Sequence, residues 1–315
     1  MLSYALFEGR PITTAGQWIN PFVFGLLWLQ RHVAAPRKVR RPIFIIGTGR
    51  SGTTILGVVM SMHKDAAFLN EPKAVWHSAF GSEDLIGSYG KGRANYCLSE
   101  ADASPAVIKA MNRIYGWYLT ATLSRRVVDK YPELVFRVPF VRRIFPDAKF
   151  LFLVRNGWDT CHSIQHWSER LGVNEGQERH DWWGVNNRKW ALLIDQVASK
   201  DPDFAPHLDE LRNLQKHTDM AAVEWILTMR EGLRLQALLP DAIQTVKYEH
   251  LVADPRLVLR QICDFCGLEE DPTFYGYAEK VLRPAKPVAP FELHPLIEAP
   301  FHQTMQALGY EQVEQ

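Results

Sequence analysis

Two runs along the chain are apolar at successive positions rather than at every second one. "PIFIIG" (42–47) and "FLFLV" (150–154) have no polar face to show to water. Such runs, short and bounded by turn residues, predict strands buried on both sides, as in a parallel sheet. A third, "IQTVKY" (243–248), follows the turn at Pro240 and Asp241. Segments of helical period lie between them. "TILGVVMSMH" (54–63) follows the first strand, and "PFVRRIFPD" (139–147) leads into the second. "DPRLVLRQICDFCGL" (254–268) follows the third, with Asp254 placed as N-cap and Pro255 at the first helical position. Strands alternating with helices predict an α/β fold of three layers, a mostly parallel central sheet with helices on both faces.

The pattern weakens elsewhere. Residues 165–222 are rich in His, Trp, Asn and charge and predict a helical insertion. The proline-rich "RPAKPVAPFELHPLIEAP" predicts a tail that wraps the surface without regular structure. This divides the chain into an N-terminal helical segment (1–40), a main body (41–290) and a C-terminal tail (291–315). In the first segment, "PFVFGLLWL" falls short of the roughly 18 to 20 residues a membrane span needs. No small-residue cleavage site marks it as a secretory leader. Two readings of residues 18–41 stay open. One is a helix docked on the body or on a second copy in a homodimer. The other is an interfacial helix on an anionic membrane, helped by the basic "RKVRR" that follows.

The net charge of +1 over 315 residues points to no nucleic-acid partner. Four cysteines suit a reducing, cytoplasmic setting. Cys263 and Cys266 form a lone C-x-x-C at helical spacing and predict buried helical cysteines rather than a metal site.

Candidate chemistry starts in "GTGRSGTT" (47–54). A glycine-rich turn between a buried strand and a helix presents backbone N–H groups and the positive end of the helix dipole, so it cradles anions. It nearly matches the P-loop pattern G-x-x-x-x-G-K-[ST], through Gly47, Gly52 and Thr54. Thr53 stands where the lysine belongs, which disfavours ordinary Mg²⁺-dependent hydrolysis of ATP or GTP. Arg50 supplies a permanent cation at the apex of the loop.

"GRSGTT" resembles the 5′-phosphosulfate loop of the sulfotransferases that use 3′-phosphoadenosine 5′-phosphosulfate (PAPS), and the carbohydrate and tyrosylprotein branches are closest in motifs. The resemblance implies a P-loop-type fold and a PAPS-dependent O-sulfotransferase that releases PAP and needs no metal. It implies that Arg50, Ser51, Gly52, Thr53 and Thr54 bind the 5′-phosphate, with Arg50 also stabilising the leaving phosphate. "LFLVRNGWDTCHSI" is similar to the 3′-phosphate site, which gives that role to Arg155 and Ser163. "VKYEHL" is similar to a later segment that makes Tyr248 an adenosine contact and Glu249 a structural hydrogen-bonding residue. His250 departs from the usual Asp there.

Sulfuryl transfer needs a base on the acceptor and cations around the transferred group. The resemblance implies Glu71, in "FLNEPKAVWH", as general base, with His77 as the alternative, and Lys130 as the cation on the sulfuryl oxygens. The family's C-terminal Arg-Lys-Gly clamp is absent, and "LRPAKP" offers Arg283 and Lys286 as substitutes. The acceptor is expected on residues 165–222. There Trp182, Trp183 and Trp190 either stack on sugar rings or fill a core, and His180, Asp181, Asn186 and Asn187 offer hydrogen bonds. The Glu-Pro motif favours a carbohydrate or glycolipid hydroxyl. Tyrosine or small-alcohol sulfation, a P-loop kinase and a non-catalytic binding module are the rivals.

Overall fold

The structure is a computed structural model, and it describes residues 17–175 and 178–310. Its centre is a five-stranded parallel sheet. In chain order its strands are β1 (Ile43–Gly47), β2 (Ala66–Asn70), β3 (Arg126–Lys130), β4 (Lys149–Val154) and β8 (Ile243–Lys247), and across the sheet they run β2-β3-β1-β4-β8. The third expected strand stops one residue early, because Tyr248 begins a helix. Ile43 pairs with Val128 on one side and with Lys149 on the other, so β1 is the central strand.

Every residue of β1 and β3 is buried. Alternation along the pleat sorts their side chains into two cores. Phe44, Ile46, Phe150 and Phe152 enter one, and Ile43, Ile45, Leu151 and Leu153 enter the other. The second core is closed by α2 (Thr53–Met60), α11 (Pro255–Cys266) and α12 (Pro272–Val281), through Leu56, Leu259 and Phe274. Cys263 and Cys266 are buried there on α11, as the spacing predicts. Asp254 caps that helix at the backbone N–H of Leu257, 3.0 Å away.

The first core is larger. It takes α4 (Pro105–Thr122), α5 (Val138–Ile144), α6 (Gly157–Leu171) and α9 (His217–Leu238), and α1 (Asn20–His32) lies outside α4. Two expectations are corrected here. Residues 165–222 are not purely helical. They hold the end of α6, an antiparallel sheet of β5 (Val173–Glu175), β6 (Glu178–Asp181) and β7 (Gly184–Val185), then α7 (Arg188–Gln196) and α8 (Leu208–Arg212). The proline-rich tail carries a regular helix, α13 (Pro295–Ala307), which buries Ile297 and Phe301. Pro295 sits in its first turn, where a missing N–H costs nothing.

Among the described residues no helix is long and apolar enough to cross a membrane. The short helix α3 (Lys73–Ala79) follows β2 after Glu71 and Pro72, and α10 (Tyr248–Ala253) follows β8 directly.

Candidate active site

All five strands are parallel, so their C-terminal ends share one edge of the sheet, where open α/β sheets bind ligands. β3 ends in Lys130, and the residues that directly follow the other strands are Glu71 after β2, the loop 48–52 after β1, Arg155 after β4 and Tyr248 after β8. A cavity of about 400 Å³ opens on this edge, lined by Arg50, Gly52, Thr53, Thr54, Glu71, Lys130, Arg155, Ser163 and Tyr248. Residues from six separate stretches of sequence thus meet in one space. Ser51, expected in the loop, is buried beneath it, and its hydroxyl donates to the Thr48 carbonyl at 2.6 Å.

The loop is shaped for an anion. Gly52 has φ of 97° and is the N-cap of α2, with no side-chain cap hydrogen bond. The first N–H groups of that helix therefore keep their capacity for a ligand. A Cβ on Gly52 would collide with the ring of Tyr248, and one on Gly49 with the indole of Trp182. Arg50, with φ of 68°, donates from Nε to the Ser163 hydroxyl at 3.2 Å. Arg155 donates to the Arg50 carbonyl at 3.1 Å, lies 3.7 Å from Asp159, and covers the Tyr248 ring at 4.7 Å. Its buried Nε and the buried hydroxyl of Thr48 have no partner among the described residues. Glu249 anchors this side. It accepts from the Asn156 backbone N–H at 2.9 Å and from the Tyr310 hydroxyl at 2.8 Å.

Opposite the loop, the Lys130 ammonium contacts Glu71 Oε1, and Lys73 lies 3.5 Å from Oε2. Glu71 holds φ of 47°, an uncommon value for a residue with a side chain. Burial acts to raise its pKa, but the ammonium groups of Lys130 and Lys73 outweigh it and hold the carboxyl at about 2. Burial likewise acts against the charge on Lys73, and the carboxylates of Glu133 and Glu71 overcome it and raise its pKa. Lys189 extends the array, 2.5 Å from Glu224 and 3.6 Å from Glu133. The cavity lining holds five Lys and Arg side chains against three Asp and Glu. That is a cationic surplus in a chain whose net charge is only +1.

Behind this wall, Asp129 is buried on the other face of β3 and accepts from Trp76 Nε1 at 2.9 Å and from the Tyr115 hydroxyl. Burial raises its pKa to about 7 despite those donors.

His77 does not reach the cavity. Its ring packs near Phe24 at 5.9 Å and Tyr89 at 5.2 Å, and burial lowers its pKa. Arg283 turns back to the carbonyls of Glu279 and Leu282, and neither it nor Lys286 lines the cavity.

The remaining wall comes from the small sheet and its neighbours: Trp167, Val173, His180, Asp181, Trp182 and Val185. Trp182 is held by a hydrogen bond to Glu224 at 2.7 Å, by Lys189 at 4.6 Å from its ring, and edge-on by Trp167 at 5.3 Å. Trp183 and Trp190 are instead core residues, packed on each other at 5.3 Å. Asn186 and Asn187 are exposed at the turn, both with positive φ, outside the cavity. Sequence reasoning missed Lys73, Glu133 and Lys189. The first two stand within three residues of Glu71 and Lys130, but nothing local marks Lys189.

Comparison with known proteins bears on this geometry. Nodulation protein NoeE of Sinorhizobium fredii is 24% identical over 240 residues, which is 75% of this chain and 51% of that protein. A protein-tyrosine sulfotransferase of Drosophila melanogaster is 29% identical over 128 residues, 39% of this chain and 24% of that one. The chain thus spans about half or less of the length of these relatives. Among solved structures, a sulfotransferase domain from the curacin biosynthetic pathway superposes with a TM-score of 0.52 at 16% identity, over 87% of this chain and 99% of that one. The corresponding domain of the Synechococcus PCC 7002 olefin synthase gives 0.51 at 19% identity, over 89% and 98%. At these identities the likeness establishes the fold. The profile of the Sulfotransferase family matches residues 42–184 and 195–272, taking in the loop, Glu71, Lys130, Arg155 and Tyr248, so the chain belongs to the sulfotransferase family.

Proposed function

We propose that this protein transfers the sulfuryl group of PAPS to an acceptor hydroxyl on a carbohydrate or glycolipid and releases PAP. The observation that carries the reading is the Glu71–Lys130 pair facing an uncapped, glycine-cradled loop across one cationic cavity. The residues fit the donor. The free N–H groups of α2, the partnerless Nε of Arg155 and the surplus of positive charge all call for a multiply charged anion. In this reading residues 41–290 form the catalytic body and 165–222 its acceptor-side insertion. PAPS supplies a sulfuryl group on a good leaving phosphate.

The loop 50–54 would grip the 5′-phosphate, Arg155 and Ser163 the 3′-phosphate, and Tyr248 the adenosine. As the acceptor oxygen bonds to sulfur, its proton passes to the Glu71 carboxylate. The sulfur–oxygen bond to the 5′-phosphate breaks, and the electron pair stays on the phosphate oxygen beside Arg50. Lys130 compensates charge on the sulfuryl oxygens. Its contact with Glu71 gives this a second effect. A carboxylate held at about 2 is a weak base. When Lys130 turns to sulfuryl oxygens, Glu71 loses its strongest counter-charge and becomes more basic.

For the acceptor, the half-buried rings of Trp167 and Trp182 offer apolar faces to a sugar, with His180 beside them, while the Asp181 carboxylate is turned to Arg179 and the Trp183 backbone N–H. The relative named for protein-tyrosine sulfation supports tyrosine as the second reading. The test is calorimetry with PAP and with ATP–Mg²⁺, followed by transfer from labelled PAPS across sugar, lipid-linked sugar, tyrosine-peptide and small-alcohol acceptors. Tight PAP binding and label on a sugar hydroxyl are expected. Mg²⁺-dependent ATP binding with no affinity for PAP would overturn the reading in favour of a kinase.

A further inference from the structure

Ten large apolar side chains are exposed among the described residues, and six of them lie between 18 and 33. They are Trp18, Phe22, Leu26, Trp28, Leu29 and Val33, exposed from 43% to 79%. Five of the six, from Trp18 to Val33, recur at spacings of three and four, which is one face of a helix. The opposite face of α1 is already occupied. Leu27 is buried, Val23 and Phe24 pack on the core, and Arg31 donates to the Ser78 carbonyl at 2.9 Å. The helix is therefore docked and still leaves a continuous apolar stripe in the open. A patch of this kind on a folded chain marks a contact surface.

The charge beside the stripe selects the contact. Residues 18–41 carry Arg31, Arg37, Lys38, Arg40 and Arg41 and no Asp or Glu. Lys38, Arg40 and Arg41 are exposed. The linker that carries this cluster is fixed on the body. A Cβ on Gly116 of α4 would collide with the Arg37 carbonyl, and Arg37 donates to the Ser124 carbonyl at 2.5 Å. An exposed apolar face that starts at Trp18, with Trp28 exposed beside it and a fixed cationic cluster after it, is the pattern of a helix lying in the headgroup region of an anionic bilayer. At 13 residues, about 20 Å long, α1 can lie along that surface but not cross it. A second copy fits less well. Stripe-on-stripe pairing brings two such cationic segments together with no carboxylate in either to compensate.

We propose that this protein docks on anionic lipid surfaces through the outer face of α1 and the basic cluster 37–41. This surface does not depend on the chemistry assigned to the cavity. The two regions are nonetheless neighbours, because Phe24 packs on Tyr89 at 5.4 Å and the preceding Ile86, Gly87 and Ser88 line the cavity.

The test is co-sedimentation of the full chain with vesicles of phosphatidylcholine mixed with phosphatidylglycerol, against phosphatidylcholine alone. Binding is expected on the anionic vesicles and should weaken as salt rises from about 0.1 to about 0.5 M. Leu26→Glu with Leu29→Glu should cut binding more than about tenfold. Lys38→Glu with Arg40→Glu should cut it about tenfold and remove most of the salt dependence. Thermal unfolding of each variant, matching the wild type, shows that the fold is intact. Equal binding to both vesicle types, or variants that bind like the wild type, would overturn the proposal. So would a dimer in solution that Leu26→Glu with Leu29→Glu dissociates, since that would make the stripe a self-association surface.

Discussion

Along one wall of the cavity, Glu71, Lys130, the loop 48–52, Arg155 and Tyr248 hang from the ends of five parallel strands. Along the other, Trp167 comes from the last turns of a helix, His180 from a four-residue strand and Trp182 from the turn that follows it. The first wall inherits its geometry from a sheet buried on both faces, so each side chain is placed by dozens of residues behind it. The second is placed by a few local contacts, chiefly those of Trp182 with Glu224, Lys189 and Trp167. The strand-end wall suits chemistry that tolerates little displacement, and the small-sheet wall suits recognition that varies.

Substitutions that separate the two walls test this contrast, and the largest effect belongs to Glu71. Glu71→Gln keeps the shape and removes the proposed base, and it should lower kcat by about 10²–10⁴ while PAP affinity stays within a few-fold. If turnover survives at the wild-type level, the strand-end wall does not hold the base. Lys130→Ala should depress kcat similarly. It should also move the acid limb of the residual rate upward, because the carboxyl held at about 2 returns toward its ordinary value of 4.5.

Next comes Arg155→Ala, which removes the proposed phosphate grip and should weaken PAP binding roughly 10- to 100-fold, read by calorimetry. An unchanged Kd would separate Arg155 from the nucleotide. Trp182→Ala, on the other wall, should raise the acceptor KM about tenfold. Its effect on PAP binding should be small, and an equal loss of both would merge the two walls into one unit.

Asp129→Asn should affect turnover least, less than about threefold, because its side chain lies behind the sheet. Its signature is in stability. A carboxyl raised from 3.8 to about 7 on folding contributes stability that is present below its unfolded value and is lost as pH rises through about 7. The wild type should therefore weaken relative to the variant between pH 5 and pH 8, on the order of 2 kcal/mol, measured by urea unfolding at each pH. A constant difference would mean that Asp129 does not titrate there.

The same contrast explains what could be read in advance. The strands "PIFIIG" and "FLFLV" declare themselves because burial on both faces leaves no polar position. Motifs fixed to their ends, such as "GRSGTT" and Arg155, inherit that certainty. The small sheet gives no such signal. Its strands are too short for a period, the β6–β7 turn is made by two tryptophans rather than by turn-forming residues, and Asn186 and Asn187 at positive φ only lead from β7 into α7. Lys189 is invisible in sequence because its partners, Glu133 and Glu224, come from distant segments. The tail misleads for a local reason. Prolines read as breakers, yet Pro295 sits where a helix accepts one, and Pro300 is carried inside the same helix.

The fit of Trp182 over Gly49 has a consequence for descent. The indole is pinned on three sides, so it cannot swing away, and any side chain at position 49 would strike it. The phosphate loop and the small sheet are therefore coupled in their history. A lineage that enlarges residue 49 must first shrink or lose the tryptophan, and a lineage that discards the small sheet frees position 49 to drift. Sequences descended from the same ancestor should show the two positions changing together, although more than a hundred residues of chain separate them.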